Sequence, residues 1–155
     1  MLIPIVQGGF GAIVLDVSAN VAEYNILTAA TAVGYNAATN STSIIVNVAS
    51  GVTVSGSSTH AMRTGALNAN SDLTINITGA VSGYTGANGG TGAAGAVGGD
   101  AIFWETTASG SGTYTVNVLS GGNLKSGGGG GGGGGSAGVR ATFTSDGKGG
   151  GSCGT

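Results

Sequence analysis

His60 is the chain's single histidine and lies in "SSTHAMRTG", a stretch rich in serine and threonine. Serine, histidine and an acid are the minimum set for nucleophilic hydrolysis, but a lone histidine in such a loop is far more often a surface residue. The six acids, Asp16, Glu23, Asp72, Asp100, Glu105 and Asp146, show none of the close pairing used by glycosidases or metal sites. A hydrolase of surface glycans would have to recruit Asp100 and Glu105. "GTGAAG" (Gly90 to Gly95) fits G-x-G-x-x-G, yet a dinucleotide site needs it between a strand and a helix. Here "AVGGDAIFWE" follows, with more glycine and no helical stretch, so the match is chance. No Walker A pattern occurs. The sequons "NST" and "NIT" mean nothing without secretion. The expectation is a non-enzyme with no catalytic residue, cofactor or metal.

Binding chemistry is better represented. "DAIFWETTASGSGT" (100–113) joins a glycine run to a strand, and its Phe103 and Trp104 are two of the chain's eight aromatics. Aromatic rings anchor contacts to sugars and proteins. Alternation would place one ring inside, capping the β core, and the other outside. Phe103, Trp104 and Glu105 are the contact candidates, with Tyr84, which opens the first glycine run, a weaker fourth.

Composition narrows the classes further. The chain has 155 residues, only 6% charged and 5% aromatic, with 35 glycines and one proline. A typical soluble domain carries about 25% charged residues. Net charge is −2 and mean hydropathy +0.31, which is not the signature of a disordered chain. The four basic residues, Arg63, Lys125, Arg140 and Lys148, are scattered, so no stripe exists to track nucleic acid. Cys153 is the one cysteine and cannot form an intrachain disulfide. "MLIPIVQGGFG" lacks a basic n-region, and no apolar run approaches the roughly 18 residues of a membrane helix. Synthesis in a host cytoplasm without Sec export is expected.

The elements that would position these residues repeat. "IVLDV" (13–17) reads as a strand. In "NVAEYNILTAATAVG", Asn20 as N-cap with Glu23 three positions on resembles a capping box, and Gly34 sits where a C′ glycine ends a helix. Ile26, Leu27, Ala30 and Val33 share one helical face. Then "SIIVNVASGVTVSG" (43–56), "DLTINITGAVSG" (72–83) and "TYTVNVLSGGNLKSG" (113–127) align on Asn47, Asn76 and Asn117. Alternation puts Ile44, Val46, Val48, Leu73, Ile75, Ile77, Tyr114, Val116 and Val118 on one face and the asparagines on the other. The spacings of 29 and 41 residues argue against a regular β-helix and for a repeated unit with insertions. "VRATFT" reads as a last strand.

The second and third repeats run into glycine-rich segments, "YTGANGGTGAAGAVGGDA" and "GGGGGGGGG", and "GKGGGSCG" (147–154) forms a further one. A linker between domains would appear once. Ordering nine glycines costs on the order of 9–18 kcal/mol of backbone entropy, with no side chain to bury in return. Backbone hydrogen bonds at roughly 0.5–1.5 kcal/mol each can offset this only if other extended backbones flank the run. Polyproline-II geometry permits that, at about 3.1 Å per residue. The core glycines would be Gly89, Gly90, Gly92 and Gly95 with Gly127, Gly128, Gly129, Gly130, Gly131, Gly132, Gly133, Gly134 and Gly135, buried among other glycine strands and intolerant of Val or Leu.

"AEYNILTAATAVGYN", "IIVNVASGVTVSGSS", "ALNANSDLTINITGAVSGYTGANGGTGAAGAVGGDAI" and "YTVNVLSGGNLKSGGGGGGGGG" together resemble the glycine-rich adhesin modules of tailed bacteriophages. The resemblance spans roughly residues 13–138 and implies a polyglycine-II core with loops contacting a bacterial surface receptor. The fold expected is mainly β with one short N-terminal helix, its strand repeats feeding polyglycine-II-like helices that pack laterally. Residues 1–83 would form a β/α part and 84–155 a glycine-rich part of one continuous module. The function expected is a tail-tip or fibre-end adhesin in the virion, homotrimeric, touching other tail proteins and an outer-membrane protein or glycan, with no nucleic acid and no membrane insertion. The alternative is a head fibre, capsid decoration or tail tube component contacting only virion proteins.

Overall fold

The computed structural model describes residues 11–39, 41–105 and 110–134. Gly135, the "VRATFT" stretch, the "GKGGGSCG" segment and Cys153 lie outside them. The chain winds through three parallel sheets in turn, so that the first two sheets collect one strand from each of four coils and the third one from each of the first three. The first coil holds β1 (Ile13–Val17), β2 (Val21–Ala22) and β3 (Tyr24–Asn25), and α1 (Ile26–Ala32) follows it. The second holds β4 (Ile44–Val48), β5 (Thr53–Ser55) and β6 (Met62–Arg63). The third holds β7 (Leu73–Ile77), β8 (Ala80–Ser82) and β9 (Ile102–Phe103), and the fourth β10 (Tyr114–Val118) and β11 (Asn123–Lys125). The sheets are ordered β1-β4-β7-β10, β11-β8-β5-β2 and β3-β6-β9.

The register is the one that the asparagine alignment implies. Ile44 pairs with Leu73 and Leu73 with Tyr114; Asn47 pairs with Asn76 and Asn76 with Asn117. Asp16 occupies the same position in the first coil. Inward residues Ile44, Val46, Val48, Leu73, Ile75 and Ile77 are all buried, together with Val54, Val81 and Met62 from the other two sheets. Burying one such side chain contributes roughly 1.5–3 kcal/mol. In the fourth coil Tyr114 and Val116 are half-buried and Val118 exposed. The repeats therefore do build a coiled parallel stack, contrary to what their unequal spacing suggested. Insertions leave through the corners while the ladders stay in register.

On the outer face the polar side chains form a second ladder. Asn117 Nδ2 donates to Asn76 Oδ1 (2.9 Å), Asn76 Nδ2 to Asn47 Oδ1 (2.9 Å), and Asn47 Nδ2 to Asp16 Oδ1 (2.8 Å). An ionised carboxylate only accepts, so Asp16 fixes the direction of every amide above it.

The helix begins later than the sequence suggested. Its N-cap is Asn25, whose side chain accepts from Thr28 N at 3.0 Å, and it ends at Val33 and Gly34 (φ 98°). Asn20 instead accepts from Thr53 N at 2.8 Å, bracing the next coil. Glu23 adopts a left-handed φ of 53° at the corner between β2 and β3. Val21 and Tyr24 have ladder partners in Val54 and Met62, and those bonds override the local capping signal. Ile26 and Ala30 are buried, whereas Val33 is exposed.

The expected polyglycine-II-like helices, fed by the strand repeats, are not what is found. The fold is three parallel sheets with one short helix, and no glycine-rich helix occurs among the described residues. The physical reason is that each strand spends its backbone donors and acceptors on the strand of the next coil. The glycine segments are connections without helix or ladder, 84–100 between β8 and β9 and 126–134 after β11. They are cross-linked all the same. Gly86, Gly89 and Gly92 donate to the carbonyls of Gly128, Gly131 and Gly134; Gly127, Gly130 and Gly133 donate to those of Gly99, Ala96 and Ala93; and Ala96 and Gly99 donate to those of Ala87 and Tyr84.

Nor is the nine-glycine run buried. Gly127, Gly130 and Gly133 are half-buried, whereas Gly128, Gly129, Gly131, Gly132 and Gly134 are exposed. A Cβ at Gly127, Gly130 or Gly133 would overlap the carbonyl oxygen of Tyr84, Ala87 or Gly90, whereas one at Gly128, Gly132 or Gly134 would meet nothing. Intolerance is thus confined to one glycine in three.

Two outcomes follow. Asn76→Leu should lose roughly 1–2 kcal/mol in urea denaturation, because it strands an acceptor on Asn47 and a donor on Asn117; Asn117→Leu, which strands only one group, should lose less. Gly130→Ala should accelerate amide exchange at Gly127, Gly130 and Gly133, whereas Gly128→Ala should leave it unchanged; equal effects would contradict the close approach of these backbones.

Candidate functional site

The outer face of the third sheet brings together several polar and aromatic side chains. β9 lies beside β6 with Met62 opposite Ile102 and Arg63 opposite Phe103. Met62 and Ile102 turn to the core, which sends Arg63 and Phe103 outward. His60 stacks on Phe103, with ring centroids 4.1 Å apart and planes 8° from parallel. Trp104 stacks on Tyr114 of the next coil at 5.4 Å and 18°. Phe103 and Trp104 are each 37% exposed, so neither ring is fully buried.

Charge is distributed in pairs. The Arg63 guanidinium bonds the Glu105 carboxylate, and Glu105 N donates to Oγ1 of the buried Thr64 at 2.9 Å. His60 Nδ1 lies 3.1 Å from Asp100 Oδ2, within ion-pair range, but the approach is off the hydrogen-bonding direction and Nδ1 makes no hydrogen bond. We read this as an electrostatic contact without directional bonding. Burial raises the Tyr114 hydroxyl above its ordinary pKa, and the neighbouring Tyr35 adds to the effect.

At the adjoining corner the Glu23 carboxylate accepts from Ser57 Oγ (2.7 Å), Ser58 Oγ (2.7 Å) and Ser58 N (3.0 Å). The hydrogen bonds from Ser57 and Ser58 hold its pKa below the ordinary value. They also give the left-handed Glu23 a reason to exist, since a non-glycine residue in that region costs on the order of 1–3 kcal/mol.

Of the four contact candidates, Phe103 and Glu105 stand on this face beside Arg63, whereas Trp104 turns the other way onto Tyr114, which packs against the core. Tyr84 sits apart, at the start of the glycine segment, held through its backbone to Thr59 and Gly99; among the described residues its ring makes no stacking contact. His60 and Arg63 complete the face. Sequence reasoning weighed His60 as a catalyst or a surface residue and placed Tyr114 on the inward face, where it packs against the core; the two-residue strands β6 and β9, which set Arg63 beside Phe103, carry too little pattern to be seen. Asp100 and Glu105, the acids a hydrolase would need, are engaged by His60 and Arg63. Among the described residues no group of three His, Cys, Asp or Glu side chains could hold a metal ion, and no helix is long and apolar enough to cross a membrane.

The family of the phage tail fibre adhesin Gp38 matches residues 12–155, and the chain belongs to that family. Its members are tail fibre adhesins rather than enzymes, and their place is the virion tail. No curated protein and no solved structure matches significantly.

The Glu23 geometry makes a pH prediction. A carboxylate whose pKa is lowered by folding contributes stability that is full above the ordinary carboxylate range and lost as pH falls through the folded value. Acidification should therefore loosen the Ser57–Ser58 turn, seen as faster exchange of the Ser58 amide, and Glu23→Gln should remove that acid-dependent step.

Proposed function

We propose that the chain attaches a phage tail fibre to its host by binding a surface receptor non-covalently, with Phe103, Trp104 and Glu105 as the principal contacts and Tyr84 as an outlying one. One observation carries the reading: two aromatic rings stay about one-third exposed although each is locked by a second ring. Half-open rings held rigid lose little conformational entropy on binding, which is what anchor residues require. Membership in an adhesin family supports the same conclusion. Three copies would match the symmetry of a fibre. The coil stack would serve as the rigid base and the glycine segments as the part that projects from it.

A second reading has its own support. At the last coil Val118, Leu119 and Leu124 are exposed, a face suited to another virion protein. A partner laid on that edge would need a donor opposite Asn117, whose Oδ1 accepts no side-chain hydrogen bond among the described residues.

Purified protein should bind host cells and reduce phage adsorption in competition. Phe103→Ala should weaken cell binding at least about tenfold with the melting temperature little changed, because its ring faces away from the core; Trp104→Ala should weaken binding too but also lower the melting temperature, because it uncovers Tyr114. Full cell binding by both variants would remove the ring face from the receptor contact. Labelled protein found along the tail or on the capsid instead of at the fibre end would favour the second reading.

A further inference from the structure

We infer that Asn88 is a site of spontaneous hydrolytic modification, deamidation through a succinimide, and that its cross-link to Gly131 is the lock holding that reaction off. Asn88–Gly89 is the chain's one Asn-Gly pair. The reaction needs the backbone nitrogen of the following residue to reach the side-chain carbonyl carbon, and glycine leaves that approach unobstructed. The fold demands glycine here, since a Cβ at Gly89 would overlap the carbonyl oxygen of Ala93. It also has a use for the asparagine. Asn88 Oδ1 accepts from Gly131 N at 2.9 Å, the one side-chain hydrogen bond made to the glycine run among the described residues. The remaining cross-links join backbone to backbone, so this bond alone marks a particular position in the run. Asn88 is exposed, which puts water, the other reactant, at hand. Asn47, Asn76 and Asn117 precede the branched Val48, Ile77 and Val118 within strands, where the same attack is obstructed.

Both reacting ends are held by the same residue. Gly89 N donates to the Gly131 carbonyl at 2.8 Å, while Gly131 N donates to Asn88 Oδ1. The nucleophile forms only when Gly89 N–H gives its proton to a solvent base, and a proton committed to a carbonyl is withheld until that bond opens. A donor on Oδ1 polarises the carbonyl carbon, but it also anchors the carboxamide to the neighbouring segment. Once the segments part, Gly89 N attacks Cγ, the Cγ–Nδ2 bond breaks, and ammonia leaves with a proton returned from solvent. Water then opens the ring. Cleavage at Cγ gives aspartate, which keeps an acceptor for Gly131 N. Cleavage at the main-chain carbon routes the backbone through Cβ and Cγ, giving isoaspartate and lengthening the chain by one carbon. Gly89 and Gly92 then fall out of step with Gly131 and Gly134, whereas Gly86, ahead of the lesion, keeps its bond to Gly128.

The full chain would be kept in warm, mildly alkaline buffer, native in one arm and unfolded by urea in the other. Peptide mass mapping follows replacement of the Asn88 amide by an acid, and chromatography separates aspartate from isoaspartate. Modification at Asn88 should be at least about tenfold slower in the native chain, because reaction proceeds only from the opened state. Gly130→Ala, whose Cβ overlaps the Ala87 carbonyl, should narrow that gap; Gly128→Ala, whose Cβ meets nothing, should leave it unchanged. Isoaspartate protein isolated from the unfolded arm and refolded should exchange its Gly89 and Gly92 amides faster than unmodified protein does, with Gly86 unaffected. Equal rates in the native and unfolded arms would overturn the lock. Faster modification at another asparagine of the unfolded chain would remove Asn88 as the site. If Gly130→Ala sped exchange at Gly130 yet left Asn88 as slow as in the native chain, reaction would not be coupled to parting of the segments, and the inference would fall.

Discussion

In-register parallel pairing of successive coils is the constraint on which this structure depends. A two- or three-residue strand has almost no stability alone; it holds only because the five-residue strands β4, β7 and β10 fix the rise and register of the whole coil. The short strands of the second and third sheets inherit that register from the first. Any insertion must therefore leave and re-enter at a corner without changing the count inside a coil. The segment 84–100 does so between β8 and β9, and α1 with the residues after it does so between β3 and β4.

The outer amide ladder adds polarity to a stack that is otherwise nearly uniform along its axis. Each asparagine donates toward the first coil, where Asp16 accepts, and among the described residues no side-chain hydrogen bond ends on the Asn117 carbonyl oxygen. Acceptors therefore face outward at both ends of the ladder. End-to-end stacking of two copies through this face would set Asn117 Oδ1 against the carboxylate of Asp16, which is repulsive. A parallel coil stack has open edges that invite further strands, and a single acid at the base of the ladder works against that association while leaving the interior pairing intact.

Much of the first sheet was legible in the sequence, because five-residue alternation around Asn47, Asn76 and Asn117 is a strong signal with period two. The third sheet was not: Tyr24–Asn25, Met62–Arg63 and Ile102–Phe103 are too short to show a period, and their pairing is decided by coils 38 to 40 residues apart. The same sheet carries the proposed contact face, where Phe103 and Glu105 stand out by residue type while His60 and Arg63 beside them do not. The helix start was misread for a related reason. Asn20 and Glu23 have the right types and spacing for a capping box, but both side chains are used across coils, on Thr53 and on Ser57 and Ser58. Local pattern competes poorly with a ladder partner supplied from elsewhere. For the glycine run, composition indicated ordering but could not show that the cross-links recur at every third residue, because identical residues carry no phase.

The glycine segment and the ring face are mechanically linked, which explains why chemistry sits beside a stretch with no side chains. The segment returns at Gly99, where a Cβ would overlap the carbonyl oxygen of Thr59, so the returning chain is drawn tightly against the residue that precedes His60. Asp100 emerges next to that histidine, its carbonyl accepting from Ala61 N at 3.0 Å, and the Ala101 carbonyl accepts from Met62 N at 2.9 Å. Those two bonds set the register of β9, and register alone sends Phe103 outward onto His60. A bulkier residue at Gly99 would push the re-entry point away from Thr59 and turn the ring face out of line. The side-chain-free corner is in this sense the part that aims the aromatic one, and the length of the glycine segment can vary without disturbing the rings so long as its last residues still close on Thr59.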